Sequence, residues 1–271
     1  MKSDRRKFIT SAAAGISSAS IALTLGKFNH LNAQQANQSD KKSPYGPLKP
    51  TVDLTSGLSL LMLPEGFSYQ TFGWTGEAMS DGRKTPSSHD GMGIIENRDG
   101  IFTLCRNHER GGLRDSFAAT QHTYDSKAPG GTTNLVFDGN AGKFISSRAS
   151  LSGTVRNCAG GVTPWGTWLT CEETTVGTEE TSEPQHAKTH GWIFEVPANG
   201  QGNPKPLKAM GRFVHEAIAV DPETSFVYET EDRGTSGLYR FRPNKAQMLH
   251  DGGTLEMLRV PGHPDLSKGV K

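Results

Sequence analysis

Short apolar runs separated by polar turns cover most of the chain, and almost no stretch shows a helical period of useful length. Period-two alternation is clear in residues 133–138 and 237–241, and such alternation is typical of β-strands with one buried face. Short strands are predicted at residues 67–73, 132–138, 144–151, 191–197 and 238–242. Glycine and proline between these runs suit tight turns. The pattern predicts an all-β fold of short strands at regular spacing.

The most informative segment covers residues 156–174 and reads Arg-Asn-Cys-Ala-Gly-Gly-Val-Thr-Pro-Trp-Gly-Thr-Trp-Leu-Thr-Cys-Glu-Glu-Thr. Two short runs flank the Pro-Trp-Gly turn at residues 164–166, which predicts a β-hairpin. Cys158 lies near one end, and Glu172 and Glu173 lie at the other. Because a hairpin returns its end close to its beginning, we expect the thiol and the carboxylates to meet at its open end.

Two other segments, residues 89–109 and 215–233, repeat the pattern of this hairpin. Aligning the three copies gives one shared position occupied by Asp90, Cys158 and Glu216, and a second occupied by Asn107, Glu173 and Asp232. The copies start roughly 60 residues apart, somewhat longer than the roughly 40–50 residues of a common propeller blade. In a radial arrangement equivalent positions converge on the axis, and a ring of carboxylates with a thiolate requires cations. The repeat therefore predicts a β-propeller with a metal-binding axis.

The side chains at these positions indicate which ions are expected. Cys158 precedes Ala-Gly-Gly, so little bulk crowds its thiol. Carboxylates suit Ca²⁺ or Mg²⁺, and one thiolate among them suits iron or zinc. Neighbouring strand residues face opposite ways, and the match to Asp232 favours Glu173 over Glu172 as the inward side chain. The alternative for Cys158 is a small buried residue packed in a glycine-rich strand.

Other charged residues near the repeats are candidates for contacts with substrate. Arg106 and Arg233 are predicted to meet an anionic substrate, with an ordinary surface arginine as the alternative. His215-Glu216 does not begin a zinc-protease motif, because no second histidine follows at the required spacing. The remaining histidines are expected at the surface or in loops. Residues 174–189 are acidic and polar and are predicted to form a solvated loop.

Composition narrows the classes of function. The 271 residues are 34% hydrophobic and carry a formal net charge of +1. This near balance argues against binding to nucleic acid or to a membrane surface through electrostatics. Three cysteines leave at least one thiol free or acting as a ligand. A disulfide between Cys105 and Cys171 is the alternative, because both occupy matching positions of successive repeats.

Residues 1–36 carry an export pattern. Consecutive Arg5 and Arg6 precede a mildly apolar, alanine- and serine-rich run at residues 11–25. This is a twin-arginine signal peptide, so the twin-arginine export machinery is the expected partner and the periplasm or the exterior is the expected location. The run is too short and too polar to span a bilayer, and no stable membrane insertion is expected. Residues 37–52 are predicted as a disordered linker and residues 53–271 as the folded domain.

Several segments are similar to motifs of the PhoX-type alkaline phosphatase family. Besides the leader they are residues 105–109 (Cys-Arg-Asn-His-Glu), residues 157–173 of the central hairpin, residues 211–216 (Gly-Arg-Phe-Val-His-Glu) and residues 228–234 (Tyr-Glu-Thr-Glu-Asp-Arg-Gly). The resemblance implies an exported six-bladed β-propeller whose axis holds Fe³⁺ and Ca²⁺ and which hydrolyses phosphomonoesters. On matching positions, the resemblance implies the cluster ligands Cys158, Glu173 and Glu216, joined by Asp232 and Asn107.

The chain departs from the family pattern after residues 238–242. An Arg-Pro-Glu-Gly-like motif of the later blades is missing from the sequence, and the repeats account for about four blades instead of six. We therefore expect a C-terminally truncated member with an incomplete propeller. One expected function is a metal-dependent phosphomonoesterase. The alternative is a non-catalytic propeller remnant that binds a metal or a partner, and a third reading is a propeller acting on lactones or sugars through a central calcium ion.

Overall fold

The structure, a computed structural model, describes residues 43–177 and 186–263. This part of the chain divides into two compact units, the first ending at Phe72 and the second beginning at Gly73. The predicted signal peptide, residues 1–36, lies outside the described residues. In the part of the chain that is described, no helix has the length and apolar character needed to cross a membrane.

The first unit contains an antiparallel hairpin of β1 (Lys49–Val52) and β2 (Ser59–Leu63). The buried carboxylate of Asp53 holds the turn, because it accepts a hydrogen bond of 2.9 Å from the backbone N–H of Ser56, and it also accepts one of 2.8 Å from that of Thr71. Strand β1 lies inside residues 37–52, the segment predicted as a disordered linker. That boundary is therefore corrected, since regular structure begins no later than β1.

The second unit, as far as it is described, contains three antiparallel sheets in which each strand pairs with its neighbour in sequence. The first sheet consists of β3 (His89–Arg98), β4 (Ile101–His108), β5 (Gly130–Asp138) and β6 (Lys143–Thr154). The second consists of β7 (Asn157–Val162), β8 (Thr167–Glu172) and β9 (Ile193–Pro197). The third consists of β10 (His215–Val220), β11 (Val227–Glu231), β12 (Leu238–Pro243) and β13 (Gly253–Met257). Single 3₁₀ turns occur at Thr120–His122, Lys208–Met210 and Leu249–Asp251.

The all-β prediction is confirmed, and each of the three repeated hairpins forms the first two strands of one sheet. Residues 67–73 form no strand in spite of their alternation. Their polar groups bind the first hairpin instead, with the Tyr69 carbonyl accepting from the Leu54 N–H at 3.0 Å. Strand β13 is not predicted by the pattern because its short run carries only two apolar side chains. Closure of the sheets into a propeller ring stays a prediction.

The first strands of the three sheets lie side by side, with β7 in contact with both β3 and β10. Glycine makes this close approach possible. A Cβ on Gly91 of β3 would lie 2.8 Å from the carbonyl oxygen of Cys158, and one on Gly161 of β7 would lie 2.5 Å from that of Ile218 in β10. Any larger residue would force the strands apart. The glycine-rich sequence beside Cys158 therefore serves the packing of the sheets.

Two buried apolar clusters lie between successive sheets. One joins the second and third sheets and includes Leu169 and Phe241, and the other joins the first and second sheets and includes Phe194. Cys171 belongs to the first cluster and Cys105 to the other, and both are free thiols with no exposed surface. The disulfide considered for this pair is therefore wrong. Both sulfurs pack as small apolar groups.

Candidate metal centre

An irregularity in the first strand of each sheet sets the direction of the repeat-related side chains. The pairing register shifts between His89 and Met92 in β3, between Asn157 and Gly160 in β7, and between His215 and Ile218 in β10. Each shift begins next to one of the aligned residues, which are Asp90, Cys158 and Glu216. β-Bulges re-aim side chains and are over-represented beside active sites. The repeat in sequence is thus also a repeat in backbone geometry.

Cys158, Glu173 and Glu216 come together at one point. One ligand atom from each, the sulfur and one carboxylate oxygen apiece, lies within 4.8 Å of the others. The Cys158 Sγ is 3.5 Å from Oε2 of Glu216 and 3.6 Å from the carbonyl oxygen of His215. Cys158 is 6% exposed, whereas the two glutamates are half-buried. A thiol and two carboxylates converging in this way form a donor set for cations.

Further carboxylates extend this acidic group. Glu173 shares a hydrogen bond with Asp232, and Glu109 shares one with Asp90. Burial, the contact with Asp232 and the charge of Glu216 raise the pKa of Glu173 to about 7. Burial and the proximity of Asp90 raise the pKa of Glu109. Two carboxylates hydrogen-bond to each other only when one carries a proton, so a cation bound between them would compete with that proton.

The thiol of Cys158 depends on the same charges. Burial raises its pKa well above the usual value, the hydrogen bond from the Ala159 backbone opposes this, and the carboxylates of Glu216 and Glu173 raise it further. Sulfur in these surroundings stays protonated at neutral pH. Coordination to a metal ion is the interaction that would convert it to the thiolate.

Asn107 occupies a different place from the one predicted, and its assignment as a metal ligand is corrected. The side chain is fully buried behind β7. Its Nδ2 donates to the carbonyl oxygens of Cys158 and Ala159 at 3.2 and 2.7 Å, and its Oδ1 accepts from Trp168 Nε1 and Thr170 Oγ1 at 2.9 and 2.8 Å. Both lone pairs of the oxygen are used, so none is left for an ion. Asn107 fixes the backbone of Cys158 and is a positioning residue.

The arginines predicted to meet substrate lie in unlike environments. Arg106 is buried, and burial lowers the pKa of its guanidinium to about 10. Its Nε and Nη2 have no hydrogen-bond partner within the described ranges. Arg233 is exposed and follows Asp232, which extends the acidic group. Sequence reasoning missed Arg156, an exposed cation whose charge acts on Glu109.

Glu172 points away from the acidic group, as the alternation of strand residues predicts. Its buried carboxylate accepts hydrogen bonds from the backbone N–H groups of Val155 and Gly191, each at 2.8 Å. It also contacts His190 Nδ1 at 2.7 Å. Only Glu173 of this pair of glutamates therefore faces Cys158.

The expectation that most of the remaining histidines lie at the surface or in loops is wrong for His108, which is buried in β4, whereas His186 and His190 do lie in a loop. His108, His190 and His215 have no exposed surface, and His186 is 7% exposed. His186 and His190 follow the acidic part of residues 174–189 and are buried, although Ala187 and Lys188 between them are exposed. No periodic pattern of apolar residues surrounds His186 or His190, so the sequence gives no signal that these side chains are buried.

Fold and site together define an all-β protein in which repeated hairpins bring a thiol and several carboxylates to one candidate cation-binding position. The family model described as alkaline phosphatase PhoX matches residues 43–151 and 145–270. The chain belongs to this family, and the resemblance seen in the sequence is confirmed.

Among solved structures, the chain is similar to the structure entitled Pseudomonas fluorescens PhoX in complex with vanadate, a transition state analogue. The two are 18% identical with a TM-score of 0.42, and the similarity covers 63% of this chain and 45% of that chain. The chain thus spans less than half the length of that relative. A comparison with the curated proteins finds no match.

Proposed function

We propose that this protein is a metal-dependent phosphomonoesterase in which Cys158, Glu173 and Glu216 bind iron and calcium ions. The observation that carries the proposal is the convergence of one ligand atom from each residue within 4.8 Å. Membership in the alkaline phosphatase PhoX family supports a phosphomonoester as the substrate. Cys158 and Glu216 occupy one shared position of the repeated hairpins and Glu173 occupies the other, which is how a propeller would gather ligands at its axis.

The donor atoms fit a mixture of ions. The sulfur of Cys158 favours iron, whereas the surrounding carboxylates favour calcium. The hydrogen bond between Glu173 and Asp232 places a further carboxylate within reach of the same ions. The raised pKa of Glu173 agrees with a position at which a cation replaces a proton.

Cations bound at this position would stabilise the negative charge of the phosphoryl group in the transition state and lower the pKa of an attacking water. The side chains of the protein orient the reactants. Asn107 holds the backbone on either side of the Cys158–Ala159 peptide bond through its two donated hydrogen bonds. Arg156 and Arg233 are exposed near the acidic group and supply guanidinium groups for the oxygens of a phosphate ester.

Chelation provides the test of the proposal. The full chain is assayed with p-nitrophenyl phosphate before and after exhaustive removal of metal ions, and again after iron and calcium are restored. Hydrolysis should disappear with the metal and return with it. Activity that survives complete chelation would overturn the proposal.

A matched pair of variants links the result to the site. Glu216→Gln removes one charge from the predicted ligands, and Glu223→Gln removes one from an exposed turn of the same sheet. Only the Glu216→Gln variant should lose bound metal and the hydrolysis of p-nitrophenyl phosphate. Metal binding in the purified protein without any turnover would favour the alternative function, a non-catalytic protein that binds metal.

We also propose export through the twin-arginine machinery to the periplasm or beyond. The consecutive Arg5 and Arg6 ahead of an apolar run support this. Replacing both arginines with lysine should retain the uncleaved precursor inside the cell, as fractionation would show. Equal amounts of exported protein from the variant and the original would contradict it.

A further inference from the structure

A second group of metal-ligating side chains lies apart from the residues proposed for catalysis. Asp125 precedes β5, and His186 and His190 precede β9. All three side chains are buried, and one ligand atom from each lies within 4.8 Å of the others. The two imidazole rings meet edge to face with their centroids 4.8 Å apart.

The hydrogen bond to Glu172 fixes the orientation of His190. Its Nδ1 donates to Glu172 Oε1 at 2.7 Å, and backbone amides hold both oxygens of that carboxylate. The Nε2 of His190 is therefore the nitrogen with the free lone pair. Histidines that bind metal in proteins usually donate their other ring N–H to a carboxylate or a carbonyl in this way.

Asp125 faces that lone pair. Its Oδ2 lies 3.5 Å from His190 Nε2, longer than an ordinary hydrogen bond between these atoms. The backbone N–H groups of Lys127 and Lys188 hold the carboxylate at 2.8 and 2.9 Å. Burial disfavours its charge, but these two bonds and His190 outweigh burial and lower the pKa of Asp125. A ring nitrogen and a carboxylate oxygen thus face each other in a buried space, an arrangement that a bound cation would stabilise.

His186 adds a second polar atom without a partner in the described part of the chain. Its Nδ1 is buried and, like Nε2 of His190, lacks a hydrogen-bond partner among the residues that the structure describes. Buried polar atoms in native proteins almost always have a partner, so two such nitrogens beside one carboxylate call for an explanation. A single metal ion would satisfy all three side chains.

We propose that Asp125, His186 and His190 bind a Zn²⁺ ion, with Glu172 orienting His190 from behind. Two imidazoles and a carboxylate are common zinc ligands, and three protein ligands leave a fourth position for water. Tetrahedral zinc with bonds of about 2.0 Å separates its ligand atoms by about 3.3 Å. The observed 3.5 Å between His190 Nε2 and Asp125 Oδ2 is close to that separation.

Three protein ligands are more typical of catalytic zinc, but the burial of all three side chains here favours a structural role. The zinc ion would join the segment before β5 to the segment before β9, which are also linked by the hydrogen bond of 2.9 Å from the Tyr124 hydroxyl to the Thr189 carbonyl. Glu172 connects the ion to the end of β8, directly before Glu173. The site needs no substrate, and the inference holds whether or not the protein hydrolyses phosphomonoesters.

The test uses a full-length Cys158→Ala variant, which lacks the only sulfur of the first group and leaves the second intact. After removal of all metal, the variant is titrated with Zn²⁺ against a competing chelator and, separately, with Co²⁺. One zinc ion per chain should bind, and the cobalt form should show visible ligand-field bands without a thiolate charge-transfer band. The Cys158→Ala variant leaves Asp125, His186 and His190 unchanged. If it binds no zinc, the proposal is overturned.

Adding His186→Ala to this variant identifies the ligands. Zinc binding should weaken by more than the roughly 100-fold that loss of an outer-shell partner can cause, and zinc should no longer raise the Tm. Adding His263→Ala, at an exposed histidine, is the matched control and should change neither. Equal zinc affinity in the His186→Ala and His263→Ala proteins would show that the ion binds elsewhere and would contradict the assignment.

Discussion

The two groups of ligating side chains in this protein differ in charge and in access to solvent. Cys158, Glu173 and Glu216 combine a buried thiol with half-buried carboxylates, and neighbouring acids add further negative charge. Asp125, His186 and His190 are enclosed, and two imidazole rings lie beside the carboxylate of Asp125. The first group has an excess of negative charge that several cations could balance, and its two glutamates are partly exposed to solvent. The second group has the ligands and the enclosed position expected for a single, permanently bound metal ion.

The largest expected effect is the loss of iron and of hydrolysis when Cys158 is replaced, because only the first group is expected to bind iron. Cys158→Ser replaces the soft ligand with a hard one, so the protein should lose iron more than calcium, and hydrolysis of p-nitrophenyl phosphate should fall by about 100-fold or more. Elemental analysis and initial rates measure both. His186→Ala should keep its iron and calcium. A Cys158→Ser protein that retains its full iron content would remove the basis for the iron site.

A smaller effect is expected at the residue that positions Cys158. Asn107→Ala removes two donated and two accepted hydrogen bonds and leaves the indole of Trp168 unpaired in the interior. We expect the free energy of unfolding to fall by about 2–4 kcal/mol. Denaturant unfolding of the metal-free protein measures the change.

Asn140→Ala provides the control, because that side chain is exposed and donates one hydrogen bond of 2.8 Å to the Asp99 carbonyl. This substitution should lower the free energy of unfolding by no more than about 0.5 kcal/mol. Equal losses of stability for the two variants would contradict the role given to Asn107.

The smallest effects concern pH, and the two groups should respond with opposite signs. The pKa of Glu173 is raised to about 7 in the folded protein, so its contribution favours folding below its ordinary value and is lost as the pH rises through about 7. Burial lowers the pKa of His186, so its contribution is present above the ordinary histidine value and is lost as the pH falls below it.

Thermal unfolding of the metal-free protein between mildly acidic and mildly alkaline pH measures these contributions. Glu173→Gln should flatten the decline of the Tm towards alkaline pH, and His186→Gln should flatten the decline towards acid, each by a few degrees. Identical pH profiles for both variants and the original protein would show that neither group titrates as described.

The sequence predicts those parts of the structure that depend on local pattern. The three hairpins, the all-β class and the inward direction of Glu173 each follow from alternation and from the alignment of one repeat with the next. The family also follows, because its motifs lie in the same hairpins. These features need only neighbouring residues to be recognised.

The remaining features depend on contacts between distant segments. Asn107 aligns with Glu173 in the repeat, but its partners Trp168 and Thr170 come from another sheet, and no pattern in β4 indicates them. Asp125 and His190 are far apart in the chain and lie in polar surroundings, so burial could not be predicted for either. The bulges that direct Asp90, Cys158 and Glu216 are likewise visible only in the strand pairing.

The central claim is that the open ends of the repeated hairpins hold metal ions. Anomalous X-ray scattering from crystals of the full chain, with data collected on both sides of the iron absorption edge, tests it most directly. An iron peak at bonding distance from the sulfur of Cys158, with Glu173 and Glu216 around the same group of ions, is the predicted result. Crystals that diffract well and show no metal peak among these three side chains, after growth with iron and calcium, would contradict it.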